Sequence, residues 1–195
     1  LARPYFFIEN QFDGKNPHDT LDPQTSARVV AAHVRDGLEL AEKHKLPPRV
    51  REFISEHHGT RLVTYFFNQA SREGDGRVDA TQYAYPGPRP RSKEAGIVML
   101  ADSVEAVVRS AKDHSPDNVA ALVRKVVDER VSEGQLDQCD LTMRDIEEIK
   151  EAFTAILTGM YHPRIEYPPA VEPRGVLAQD ADPKDSRDDA EKTSS

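Results

Sequence analysis

From Ser92 to Ser110 the chain reads SKEAGIVMLADSVEAVVRS, and its apolar residues fall nearly all the way round a helix. A helix that is apolar on every side has to be enclosed by other elements, so this stretch predicts an all-α fold with the segment as its buried centre. Ser92 is the natural N-cap. In the middle stands Asp102, with Val98, Ala101 and Ala106 on its side of the helix. A carboxylate there is costly unless a cation answers it. Two answers stay open: a divalent metal, or an ion pair with Arg109 or another arginine. Glu105, one turn on, is a candidate for a supporting role.

The remaining punctuation is also helical. Asp22 and Pro23 open a helix in which Val30, Val34, Leu38 and Ala41 recur at helical spacing to about Lys45. A second runs from Pro48 through Ile54 to His58, where Gly59 stops it, and Thr60 is placed to cap a third carrying Leu62, Val63, Phe66 and Phe67. The stretch from Glu73 to Arg91, rich in Gly and Pro, reads as a long surface excursion. Ser115 and Pro116 begin another helix ended by Gly134, and Thr142 begins the last, with Ile146, Ile149, Phe153, Ile156 and Leu157. No strand pattern competes, and no internal repeat is evident.

Three histidines fall on these helices in suggestive places. His33 shares a face with Val29, Val30 and Gly37, so its ring is predicted to point inward, where a lone histidine is more often structural than a ligand. His57 and His58 alter that balance. They close a helix whose inward residues are Phe53 and Ile54, and the glycine after them lets the chain turn, so both rings can reach one site. Imidazole and carboxylate are the ligands that borderline transition metals prefer, which makes His33, His57, His58 and Asp102 a candidate metal set.

His18 and Asp19 are adjacent but lie in the loop DGKNPHDTLDP, which does not fix two side chains together. Asp19 is expected to cap a turn there, with His18 packing or binding substrate. His44, His114 and His162 sit beside charged or turn residues and are left out of the site. Arg3, Lys15, Arg89, Arg91 and Lys93 stand in loops or at a helix start where they can meet phosphate. Tyr83 and Tyr85, in the long excursion, either stack on a base or pin the loop to the helices.

Composition excludes some classes. A net charge of −8 leaves no broad footprint for a DNA or RNA duplex, although a small anionic ligand can still meet local positive charge. The single cysteine, Cys139, cannot form an internal disulfide, which fits a reducing compartment. No run of about 18 apolar residues is present. Hydrophobic residues make up 37%, and the leanness is partly local, because residues 168–195 carry no aromatic side chain and read as a disordered acidic tail. The folded part is then expected over residues 1–167.

In order along the chain, RPYFFIENQFDGKNPHDTLDP, SARVVAAHVRDGLELAEKHKLP, FISEHHGTRLVTYFF, YPGPRPRSKEAGIVMLADSVEAVVRS, GQLDQCDLT and MYHPRIEYP resemble the HD-domain phosphohydrolases. Within that family they resemble the bacterial seven-transmembrane HD proteins that hydrolyse cyclic di-AMP. The resemblance implies an all-α HD helical bundle with a two-metal centre, iron or manganese. There a bridging water attacks a phosphodiester of a cyclic dinucleotide and opens cyclic di-AMP to linear pApA. It places the family's later metal ligands on His33 of AHVRDG, His57 and His58 of EHHGT, and Asp102 of LADSVEA.

Substrate contacts are expected from Arg3, Lys15, His18, Tyr85, Arg89 and Lys93. The family's first His and its His-Asp pair, followed by Ile-Gly-Lys, precede the segment that matches Leu1 to Phe7 and are not in this chain. The fold is therefore expected to be incomplete at its N-terminus, and the polypeptide as written inactive. It reads as the cytosolic domain of a bacterial inner-membrane protein, reaching the membrane only through upstream transmembrane segments. The Gly-Tyr-Pro signature of the branch acting on cyclic di-GMP is absent; Gly59-Thr60-Arg61 stands after the His pair instead. The alternative is a non-catalytic module of the same fold that senses a nucleotide or holds a partner.

Overall fold

The computed structural model describes residues 16–74 and 78–161. Arg3, Lys15, His162 and the expected tail lie outside the described residues. All described residues belong to the first of the two units into which the chain divides, Leu1–His162.

Six α-helices are present among the described residues, with no strand beyond an isolated bridge between Leu62 and Ala84: α1 (Pro23–Lys43), α2 (Pro48–Glu56), α3 (Thr64–Glu73), α4 (Lys93–Ser110), α5 (Pro116–Ser132) and α6 (Met143–Tyr161). The caps follow from residue chemistry. The Asp22 carboxylate accepts from Thr25 N–H, and Ser92 Oγ accepts from Ala95 N–H. At α6, Thr142 and Asp145 bond each other's backbone N–H at 2.9 and 3.1 Å, a reciprocal capping box. In the excursion between α3 and α4, Asp79 caps a 3-10 turn over Ala80–Tyr83.

Two apolar clusters organise the chain. The larger joins α4, α5 and α6 through Met99, Leu100, Val104, Val108, Val119, Val123, Val127, Ile146 and Leu157. Full burial of each such side chain contributes roughly 1.5–3 kcal/mol before entropy is counted. The smaller gathers Ala27 of α1, Phe66 of α3 and Tyr83, with Val30, Leu62, Val63 and Phe67 against them. The elements that bear the histidines lie between: α1 packs on α2 and α3, and α2 packs on α4. Gly37 permits the α1–α2 approach, since a Cβ there would lie 3.0 Å from Ile54 Cγ2.

Two expectations change. The third helix begins at Thr64, so Leu62 and Val63 are not in it and Thr60 is not its cap. Their backbone is committed elsewhere: Val63 N–H donates to Tyr83 O and Tyr85 N–H donates to Arg61 O, each at 2.8 Å, and Thr60 N–H is held by Gln135. Nor is α4 enclosed on every side. Its Met99–Leu100–Val104–Val108 face is fully buried, but Ile97 and Val98 are 36% and 39% exposed, and Asp102 stands on the exposed side. In α6, Ile156 likewise faces outward.

Gly59 makes the turn after the His pair at φ +56°, where a Cβ would collide with Gln135 Oε1 and lie 2.7 Å from Met99 Cε. Gly59→Ala adds both left-handed strain and this overlap, so it is expected to lower stability by about 2 kcal/mol or more, read from the denaturation midpoint.

Candidate metal centre

His33 comes from the middle of α1, while His57 and His58 follow the end of α2, and all three rings are partly buried. The backbone of each helix sets the outer two rings. His33 Nδ1 lies 2.7 Å from Val30 O, and His57 Nδ1 lies 2.9 Å from Ile54 O. A carbonyl only accepts, so each Nδ1 carries the proton and donates it, which leaves each Nε2 with a lone pair. Those two Nε2 atoms are 3.2 Å apart. Two lone pairs at that distance repel unless a cation or proton stands between them.

A metal ion satisfies the arrangement. Imidazole nitrogens each about 2.1 Å from one ion, at ligand angles between octahedral and tetrahedral, lie roughly 3.0–3.4 Å apart. The third ring completes the set, since His33, His57 and His58 each offer a nitrogen within 4.8 Å of the others. Nδ1–H bonds to backbone carbonyls are also the supporting contacts that orient metal-ligating histidines.

Asp102 lies outside the three-histidine set and reaches it only at His58. Its side chain is 47% exposed, so burial does not demand a partner, and its Oδ2 is 3.6 Å from His58 Nδ1, too long for a hydrogen bond. The alternative partner is occupied: Arg109 pairs with Glu105 at 3.4 Å. Asp102 is thus an exposed carboxylate beside His58, at the edge of the three imidazoles.

The electrostatics favour the neutral form of His33 and His58. Burial pushes His33 below its ordinary value, and it pushes His58, which His57, His33 and Arg61 also repel as a cation, down to about 2. Neutral imidazole is the form that binds metal. Tyr85 stacks on His58 with ring centroids 4.2 Å apart and planes at 23°, so it pins the ring and is itself partly buried, its hydroxyl raised to about 12 chiefly by burial. Glu56, 4% exposed, accepts from Arg91 N–H at 3.0 Å and ties the far end of the Tyr85 loop to the end of α2.

The other candidates separate from this cluster. His18 packs against Phe66 at 5.0 Å between centroids, and the residue that caps its turn is Asn16, not Asp19. Lys93 bonds Asp145 at 2.9 Å, across to α6. Arg89 contacts Thr60 and Asp137. Tyr83 is buried against Phe67. His44 follows the end of α1, and His114 stacks on Tyr161.

A buried polar group escaped the sequence reading. Arg61 donates to Ser103 Oγ at 2.9 Å, beside Arg130, which bonds Glu133 at 2.9 Å. Arg130 could have been found, because it continues the inward spacing of Val119, Val123 and Val126/Val127 along α5. Arg61 could not: it sits in a segment with no helical period.

Residues 14–107 match the HD domain family. The cyclic-di-AMP phosphodiesterase PgpH of Bacillus subtilis (strain 168) is 41% identical over 170 residues, which are 87% of this chain and 24% of that protein. The cyclic-di-AMP phosphodiesterase PgpH of Listeria monocytogenes is 37% identical over 166 residues, 85% of this chain and 23% of that protein. The chain therefore spans about a quarter of the length of these curated relatives. The crystal structure of the L. monocytogenes PgpH HD domain in complex with cyclic-di-AMP superposes with a TM-score of 0.79 at 35% identity, covering 82% of this chain and 74% of that one.

The depressed histidines set a pH dependence for the metal-free chain. Unfolded, His58 takes a proton near 6.5; folded, it resists protonation to about 2. As pH falls below 6.5 the unfolded state gains the proton first, so stability declines, and it recovers as pH rises through that value. Between about pH 7.5 and 5.5 the parent is expected to lose on the order of 1 kcal/mol more than His58→Gln, measured by chemical denaturation with a chelator present.

Proposed function

The chain belongs to the HD-domain family, and on that premise we propose that it is the metal-holding part of a phosphodiesterase that hydrolyses a cyclic dinucleotide, cyclic di-AMP, to linear pApA. The observation that carries the reading is the pair of Nε2 atoms facing each other at 3.2 Å, with His58 and Asp102 beside them. The substrate follows from the relatives: two phosphodiesterases named for cyclic di-AMP, and an HD domain solved with that molecule bound, are similar over more than four fifths of this chain.

His33, His57 and His58 would hold one divalent cation, and Asp102, with its carboxylate exposed beside His58, would complete it or reach a second. From the resemblance to the HD phosphohydrolases we assign iron or manganese, with which three imidazoles and a carboxylate are compatible. A cation held by these residues would supply charge to the phosphoryl oxygens and acidity to a bound water. The protein's own part is preorganisation: Val30 O and Ile54 O fix two rings, Tyr85 fixes the third, and burial holds His33 and His58 in the neutral form that binds metal. Among the described residues no helix is long and apolar enough to cross a membrane. We place the segment, with residues 1–167 as its folded part, on the cytosolic side of a bacterial inner-membrane protein.

The reading is tested by metal and by turnover. His57→Ala is expected to weaken manganese binding by about a hundredfold or more, measured by titration calorimetry. In the context of its complete reading frame, the manganese-loaded protein is expected to convert cyclic di-AMP to pApA, and the same protein carrying His57→Ala to show almost none. Metal bound without turnover of cyclic di-AMP would reject the substrate. Absence of bound metal would reject the centre itself and favour a sensing module.

A further inference from the structure

A cavity of about 440 Å³ opens beside the Thr60–Leu62 segment, walled by Arg61, Leu62, Phe67, Asn68, Arg89 and Glu133. No histidine lines it, so it is distinct from the metal centre, although Arg61 follows His58 by only three residues. Its size falls in the range of small-molecule sites, roughly 300–1,000 Å³.

The two guanidiniums in its wall are poorly answered. Arg61 has only 18% of its side chain exposed, yet its one hydrogen bond is NηH to Ser103 Oγ at 2.9 Å. Glu133 does not complete it: its Oε2 is 3.8 Å from Arg61 Nε and is taken by Arg130 at 2.9 Å. Arg89 donates through Nε to Thr60 Oγ1 at 3.3 Å, and its nearest carboxylate, on Asp137, is 3.7 Å away. A guanidinium has five N–H donors, and buried donors are normally bonded. The nearest carboxylates of Arg61 and Arg89 thus stand at 3.8 and 3.7 Å, beyond hydrogen-bond distance, and Glu133 is shared with Arg130.

We propose that this cavity binds an organic phosphate monoester, with Arg61 and Arg89 on the phosphate and Leu62 and Phe67 against the organic body. The guanidinium fork matches phosphate oxygens bidentately. Three oxygens and up to two charges meet the surplus donors of two arginines better than one carboxylate does. The apolar wall separates such a ligand from inorganic phosphate, and Asn68 offers an amide for a polar edge of the body.

Adenosine 5′-monophosphate is the probe, titrated calorimetrically into the chain with a chelator present, so that the histidines hold no cation. Adenosine and inorganic phosphate are run beside it. The expected result is that the monophosphate binds more tightly than either comparator. Arg89→Ala should weaken it by about tenfold, while His57→Ala leaves it unchanged. Arg89 is in a loop and its removal spares the core; if Arg89→Ala nevertheless melts early, Arg89→Gln, which can still reach Thr60, takes its place. No binding, adenosine as tight as the monophosphate, or inorganic phosphate as tight as the monophosphate would each overturn the proposal. So would a loss caused by His57→Ala and not by the Arg89 variants.

Discussion

The five residues from Gly59 to Val63 hold the two halves of the described structure together. They leave α2 through a left-handed turn at Gly59 and pair through the backbone of Arg61 and Val63 with Tyr83 and Tyr85. They are tied sideways through Thr60 to Gln135 and through Arg61 to Ser103 of α4. Each bond is ordinary, about 1 kcal/mol net, but their partners sit on segments that pack into both apolar clusters: Tyr83 belongs to the smaller, and Ser103 and Gln135 adjoin Val104 and Leu136 of the larger. Releasing the segment would free the His pair at one end and the ring that stacks on His58 at the other.

That arrangement explains why the candidate site can be rigid although its residues come from three separate stretches of chain. A side chain is held to useful precision only when its own neighbours are held. His33 is positioned by the carbonyl one turn earlier in α1, and His57 by the carbonyl one turn earlier in α2. His58 has no such carbonyl, and Tyr85 stands in by stacking. Tyr85 is in turn anchored by its N–H on Arg61 O and, six residues on, by Arg91 N–H on buried Glu56. The carboxylate of Asp102 is the least constrained member, consistent with its exposure on the open side of α4.

Much of this was legible in the residues. Asp22, Ser92 and Thr142 mark three helix starts by hydrogen-bond chemistry local to each, and Pro48 and Pro116 mark two more, so five of the six helices begin within a residue or so of where these signals put them. His33, His57 and His58 were found because an imidazole among apolar neighbours at helical spacing must face other elements. The start of α3 was misplaced because Leu62 and Val63 suit a helix and an extended bridge alike, and the choice was made by Tyr83 and Tyr85, some twenty residues away. The burial of Asp102 was misjudged for a related reason: an apolar helix shows which faces can be covered, not which face has a neighbour.

The sequence by itself determined the all-α class, the starts of every helix but α3 and the inward placement of three histidines, all of which depend on contacts within a turn or two of chain. Only the tertiary structure decided that two Nε2 lone pairs meet at 3.2 Å, that Tyr85 covers His58 while Tyr83 joins the core, and that Arg61 and Arg89 converge on one cavity. Those are distances between residues far apart in the chain. They are set by how helices pack, through the sum of many weak contacts that no local pattern of residues encodes.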